Sequence, residues 1–210
     1  MKPHLFIATP THRSFVDSHY ALSLAHLAAH LGAAQIGFRI FMQDGADLAQ
    51  QRNVIAAEFL SLTKATHVLM IDDDTAFPAD VVLALLKSEK EFIGCLCPRR
   101  DLAGGYVSED EILGPAGGAA TPTRAIGMGL TLIARSVFES MISKNAALSS
   151  PRGYRFFDRL DGPDAQHGED FSFCIRWRQT GGEIFALKLP GVRHVGKMAF
   201  TGKRLIEAEG

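Results

Sequence analysis

The apolar stretch His67-Val68-Leu69-Met70-Ile71 runs straight into Asp72-Asp73-Asp74, and this junction constrains the chain more than any other segment. A short continuous apolar run fits a strand covered on both faces, as in a parallel sheet. If the strand continues into the acids, alternation sends Asp72 and Asp74 to one side and Asp73 to the other. Carboxylates held that close repel, so the fold has to compensate them. Mg2+ or Mn2+ does this when held by one or two carboxylates, with substrate phosphates completing the shell. Hydration does it too, because three acids after a strand also make a solvated loop or a helix cap. The first reading predicts a metal–diphosphate site at the carboxyl end of a buried strand.

The remaining chain alternates between two periodicities. Strand patterns occupy residues 5–8, 36–41, 67–71, 92–97, 130–134 and 183–189. Helical patterns occupy residues 18–31, 48–62, 79–87, 135–147 and 169–180. Asp17 or Ser18 and Asp47 are suited to cap the first two helices, and Pro78 is suited to the first turn of the third. Tyr20, Leu24, Leu27 and Leu31 form one buried stripe, and Leu48, Ile55 and Phe59 a second. Residues 98–123 and 149–168 read as long loops rich in turn formers. Such alternation predicts an α/β chain with a central, mostly parallel sheet flanked by helices. Ligands in such sheets bind beyond the carboxyl ends of the strands. That rule collects residues 9–13, the three aspartates and residues 98–100 on one rim. Residues 1–198 are expected to form one catalytic domain, with 199–210 as a tail.

Charge and cysteine usage exclude several classes. The 22 basic and 23 acidic residues give a net charge of -1, with no basic stripe, so nucleic acid is not an expected partner. The three cysteines, Cys95, Cys97 and Cys174, read as small buried hydrophobes rather than a disulfide framework. No signal peptide and no transmembrane segment is expected, since no apolar run approaches ~18 residues. The expected location is the cytoplasm, with peripheral attachment to the inner face of the membrane and oligomer formation both left open.

Other residues offer chemistry to the rim, each beside a plainer role. His194 in His194-Val195-Gly196-Lys197 can ligate a metal, Gly196 lets backbone approach a phosphate, and Lys197 brings a point charge. The same four residues also make an ordinary turn. In His167-Gly168-Glu169-Asp170 the acids either cap a helix or take a proton from an acceptor hydroxyl. A helix N-terminus is expected to hold the Asp170 pKa low. Arg52 meets a diphosphate or lies on a solvated face, and Arg13, Arg99 and Arg100 share that ambiguity. Gly127 and Gly129 permit either a ligand's close approach or a bulge. His19, His26 and His30 read as a solvated or partner-facing surface.

In order and spacing, Thr9-Pro10-Thr11-His12, Gln51-Arg52-Asn53, Asp72-Asp73-Asp74, Gly94-Cys95-Leu96-Cys97-Pro98-Arg99-Arg100, Ile126-Gly127-Met128-Gly129-Leu130, Gly168-Glu169-Asp170-Phe171 and His194-Val195-Gly196 resemble the nucleotide-sugar glycosyltransferases of the A-type fold, in their compact bacterial and phage-like form. The matches span residues 5–198. The resemblance implies a single-domain, Rossmann-like nucleotide-diphospho-sugar transferase fold and a nucleotide-sugar-dependent, hexosyltransferase-like activity. Asp72 and Asp74 match the two acids of the Asp-x-Asp motif, with Asp73 in its variable middle and Asp72 near the ribose or the metal. Asp72, Asp74 and His194 would then hold Mn2+ or Mg2+. Asp170 matches the base of inverting members, with Glu169 as its substitute. Thr9, Pro10, Arg13, Arg52, Asp72, Asp73, Gly127, Gly129, Gly196 and Lys197 would line the nucleotide-sugar. The implied partners are a UDP- or GDP-linked sugar donor and a glycan or other hydroxyl acceptor. The 98–123 loop would close over the donor and exclude water. A nucleotidyltransferase, a nucleotide-sugar hydrolase and a non-catalytic nucleotide-sugar-binding module are the alternatives.

Overall fold

The structure, a computed structural model, describes residues 2–99, 105–108, 119–151 and 153–196. Lys197, Arg100, the 199–210 tail and much of the 98–123 loop lie outside the described residues. The chain runs β1 (His4–Thr11), α1 (Ser18–Ala33), β2 (Gly37–Asp44), α2 (Leu48–Ser61), β3 (His67–Ile71), β4 (Thr75–Ala76), α3 (Ala79–Lys87) and β5 (Phe92–Cys95). It continues with β6 (Thr121–Thr123), β7 (Leu130–Ala134), α4 (Arg135–Ser143), β8 (Leu148–Ser150), β9 (Gly153–Arg155), α5 (Glu169–Gln179), β10 (Ile184–Leu187) and β11 (Arg193–His194).

Seven strands form the central sheet in the order β2-β1-β3-β7-β5-β10-β6. Alternation along β1 explains why the sheet is covered twice. Leu5 and Ile7 join a core with Tyr20, Leu24 and Leu27 of α1 and Val82 and Leu85 of α3. Phe6 and Ala8 join the opposite core with Ile55 and Phe59 of α2, Phe138 of α4 and Phe173 of α5. The continuous apolar run of β3 has the same cause, with Leu69 and Ile71 on one side and Val68 and Met70 on the other.

β1 pairs in parallel with β2 and β3, and β5 with β10. β7 is antiparallel to both β3 and β5, and β6 is antiparallel to β10. This reversal positions the site. β7 begins where β3 ends, with Leu130 opposite Ile71, so the glycines preceding it arrive at the carboxyl rim. A parallel β7 would have carried Gly127 and Gly129 to the far end of the sheet.

Asp17 caps α1 by accepting from the His19 amide, and Asp47 caps α2 by accepting from the Gln50 amide. Pro78 is the N-cap of α3 and lies just ahead of its first turn. Leu48, expected inside, is 42% exposed, because α2 turns Ala49, Gln51, Arg52, Ile55 and Phe59 inward instead. α4 stops at Ser143, short of the expected 147, where Asn145 takes a positive φ of 57°. The 149–168 region is not wholly loop, since β8 and β9 form a hairpin. All three cysteines are buried, and none is joined to another by a disulfide. Among the described residues no helix is long and apolar enough to cross a membrane.

Candidate active site

β3 ends at Ile71, and the acids form a tight turn rather than an extension of the strand. The Thr75 amide donates to Asp72 O at 3.1 Å, and the Asp72 amide donates to Gly129 O at 3.1 Å. Strand alternation therefore does not set the directions of the three carboxylates. After the turn, β4 pairs antiparallel with β11, placing His194 opposite Thr75 and Arg193 opposite Ala76. The Val195 amide donates to Asp74 O at 2.8 Å.

This small ladder brings His194 Nε2 to 3.2 Å from Asp74 Oδ1. The other ring nitrogen, Nδ1, lies 3.0 Å from Pro98 O. A carbonyl only accepts, so Nδ1 is the donor and Nε2 faces the carboxylate. An imidazole whose far nitrogen is anchored on a backbone carbonyl has the orientation found in metal-ligating histidines. Among the described residues, no three His, Cys, Asp or Glu side chains converge on a common coordination point. Asp74 and His194 meet, whereas Asp72 is drawn aside.

Arg52 draws it. Its guanidinium, 3% exposed, donates Nη2 to Asp72 Oδ1 at 2.8 Å and Nη1 to Glu169 Oε1. Contact between Arg52 and a ligand would require it to leave both carboxylates. Burial opposes its charge, but Asp72, Glu169 and Asp170 together outweigh burial and raise its pKa. Glu169 is thus committed to Arg52, and Gly168, not an acid, is the N-cap residue of α5.

Asp170 is half-buried beside this cluster, and its Oδ1 accepts from the Phe171 amide at 2.7 Å. Its pKa is raised, first by burial and then by the charge of Glu169, against the opposing pull of Arg52. The expectation that the helix terminus would hold it low is overturned, because desolvation is the larger effect here. Gly127 lies next to it. A Cβ there would sit 3.5 Å from Asp170 Oδ2 and 2.7 Å from Val107 Cγ1. A Cβ on Gly129 would sit 3.0 Å from Cys97 Sγ and 3.4 Å from Asp72 Oδ2. Both glycines therefore keep the space around the acids narrow but open.

A cavity of about 290 Å³ opens beside the acid turn, lined by Pro10, His12, Gln51, Asp72, Asp73 and Asp74 among others. Thr9 lies beneath it, 1% exposed, with its hydroxyl 2.6 Å from Tyr20 OH. Arg13 is exposed and takes a positive φ of 57°, and Gly196 is exposed beyond β11. Gln51, which sequence reasoning did not single out from its neighbours, forms the cavity wall. Its Nε2 donates to Thr11 O at 2.6 Å and to Gln43 O at 2.7 Å, tying α2 to the ends of β1 and β2. A buried polar residue next to Arg52 on an inward-turned helix was the signal. Cys97, whose neighbour is Asp72, carried none.

No protein-family model matches the sequence, and no curated protein matches it. Among solved structures the chain is similar to A197 from STIV, with a TM-score of 0.57 and 17% identity over 92% of this chain and 86% of that one. It is also similar to the catalytic domain of Drosophila β1,4-galactosyltransferase 7 in complex with xylobiose, at TM-score 0.55 and 16% identity over 93% and 71% of the two chains. A mutant of that Drosophila enzyme, in complex with manganese, UDP-Gal and xylobiose, gives TM-score 0.52 and 16% identity over 92% and 71%. The chain has the nucleotide-diphospho-sugar transferase fold, the A-type glycosyltransferase fold that the sequence pattern resembles.

Proposed function

We propose that this chain is a metal-dependent glycosyltransferase. It moves a sugar from a UDP- or GDP-linked donor to an acceptor hydroxyl, with inversion and with Asp170 as base. The observation that carries the proposal is the pairing of His194 Nε2 with Asp74 Oδ1 at the carboxyl rim, with Nδ1 anchored on Pro98 O. One acid and one oriented imidazole are enough protein ligands where diphosphate oxygens and water supply the rest. Asp74 and His194 would hold Mn2+ or Mg2+, with Asp72 alongside, and the bound ion would neutralise charge on the departing diphosphate. The manganese and UDP-Gal bound to the Drosophila neighbour are consistent with that reading.

The chain's own residues supply the remaining steps. Asp170 accepts the proton of the acceptor hydroxyl, and its raised pKa makes it a stronger base than an ordinary carboxylate. Glu169 is held by Arg52, which leaves Asp170 as the proton acceptor. Arg52 holds Asp72 against the acid turn. Pro10, Asp73 and the exposed Arg13 border the nucleotide, above the buried Thr9. Gly127 and Gly129 leave room for the sugar, and Gly196 and Lys197 serve the phosphates.

Calorimetric titration of UDP and GDP, with and without Mn2+, tests the proposal. Nucleotide binding should require Mn2+ in the wild type and be lost in Asp74→Ala and in His194→Ala. Wild-type, Mn2+-dependent affinity in both variants would remove the ion site. Mass spectrometry of products from several donors then separates sugar transfer from hydrolysis or phosphodiester formation.

A further inference from the structure

A second and larger concavity lies on the outer side of α2, away from the acid turn. It has a volume of about 1160 Å³ and runs between α2 and the β8–β9 hairpin, reaching the 158–166 segment. Adjacent helix positions separate the two spaces: Gln51 lines the acid-turn cavity and Gln50 lines the groove. None of the groove's lining residues belongs to the proposed donor site.

The lining specifies an occupant. Arg155 and Arg159 bring two positive charges to the groove, but each is already paired. Arg155 Nη1 lies 3.0 Å from Asp158 Oδ2, and Arg159 Nη1 lies 3.1 Å from Asp47 Oδ2. Among the described lining residues the charges therefore balance, and a phosphate or sulfate chain would have to break an ion pair to reach either cation. An apolar peptide or a lipid tail would strip water from Asn53, Asp158 and Gln166 in the same wall without replacing their hydrogen bonds. Tyr154, 38% exposed, and Val54, 40% exposed, add apolar surface between these pairs and the Gln166 amide. A ring face set among carboxylate, guanidinium and amide groups suits the two sides of a pyranose, whose C–H face stacks and whose hydroxyls hydrogen-bond. The volume exceeds the roughly 300–1,000 Å³ of single small-molecule sites, so several linked rings fit.

The groove also leads toward the chemistry. Arg159 bonds Asp47 through Nη1, while its Nη2 lies 4.0 Å from Glu169 Oε2, next in sequence to Asp170. We propose that the groove between α2 and the β8–β9 hairpin binds a neutral oligosaccharide, the body of an acceptor glycan whose end reaches the start of α5. The acceptor role rests on the transferase reading. The sugar-binding role does not.

The test uses the full chain and a panel of neutral hexasaccharides (xylo-, cello-, malto-, manno- and chito-hexaose). A sulfated heparin hexasaccharide and hexauridylate serve as charged probes. Binding is followed by calorimetry and by amide NMR shifts. At least one neutral sugar should shift the amides of Val54, Tyr154 and Gln166. Tyr154→Ala should weaken that sugar about tenfold, the size of one lost aromatic anchor. Val54→Arg, at an exposed helix position, should block it while the melting temperature stays within the wild-type range. Mn2+-dependent UDP or GDP affinity, measured on the same samples, should not move in either variant. No groove shifts with any neutral sugar, a preference for the charged probes, or full affinity in both variants would each overturn the proposal. Nucleotide binding without groove binding removes the groove alone, and groove binding without nucleotide binding removes only its acceptor role.

Discussion

Arg52 Nη2 lies 2.8 Å from Asp72 Oδ1, and this contact joins two parts of the chain that the sheet alone would leave separate. Asp72 belongs to the turn after β3, whereas the other partner of Arg52, Glu169, opens α5. One buried guanidinium thus couples the acid turn to the helix that carries Asp170.

Removing that guanidinium leaves the buried Glu169 with only the more distant Arg159, 4.0 Å away. Arg52→Ala should cost about 3–5 kcal/mol in urea unfolding, the usual scale for stripping one partner from a buried pair. Arg52→Lys keeps the charge but cannot reach both acids as a planar fork. It should lose less stability than Arg52→Ala while still weakening donor binding. Equal stability of wild type and Arg52→Ala would show that the contact does not brace the site.

How far this arrangement could be read from the residues depends on which force fixes each part. The apolar runs of β1 and β3 and the Tyr20–Leu31 stripe of α1 are local patterns, and they emerged as expected. The meeting of Asp74 with His194 was legible only as a resemblance, because 120 residues separate the two and a two-residue ladder joins them. Three features had no local signature. The direction of β7 depends on how the chain returns after residues 98–123. The inward turn of Arg52 at the expense of Leu48 is set by two distant acids. The rise in the Asp170 pKa comes from burial, which helix position does not reveal.

Asp170→Asn should separate stability from catalysis. The folded pKa of Asp170 lies above its unfolded value, so the native state binds this proton more tightly than the unfolded chain. Stability is therefore lost as pH rises from the unfolded pKa through the folded one. Asn keeps the acceptor for the Phe171 amide and carries no charge. Its melting temperature at pH 7 should exceed that of the wild type, with the gain shrinking as pH falls. Transfer should be lost while nucleotide affinity is kept. In the wild type, the acid limb of kcat/KM should lie above the ordinary carboxylate range. Normal turnover in Asp170→Asn would end its role as base.

Gly127→Ala tests the space around that base. The new methyl would lie 2.7 Å from Val107 Cγ1, a stiff branched side chain, so the 105–108 segment must shift. Turnover should fall with nucleotide affinity unchanged, at a stability cost of about 1–3 kcal/mol. Unaltered kcat would show that this packing does not matter to transfer.

The three thiols should be silent in the folded protein. Burial pushes Cys95 up to about 11, and Cys97 is raised further by burial and then by the charge of Asp72. Thiolate is the reactive form, so a disulfide-exchange dye at pH 8 should find no thiol in the native state and all three in denaturant. Rapid native labelling of Cys97 would show that the floor beside Asp72 opens to solvent.

The central sheet is finished at Leu187, yet the imidazole facing Asp74 arrives only with the two-residue ladder that follows. On the proposed reading, the central sheet and the ion site therefore end at different residues. A chain cut after Leu189 would keep all seven strands of the central sheet and lose only Val192 from the two hydrophobic layers, while lacking the imidazole that faces Asp74. Lesions at His194 itself, which is not part of either hydrophobic layer, would then remove the proposed ion site and leave the central sheet in place.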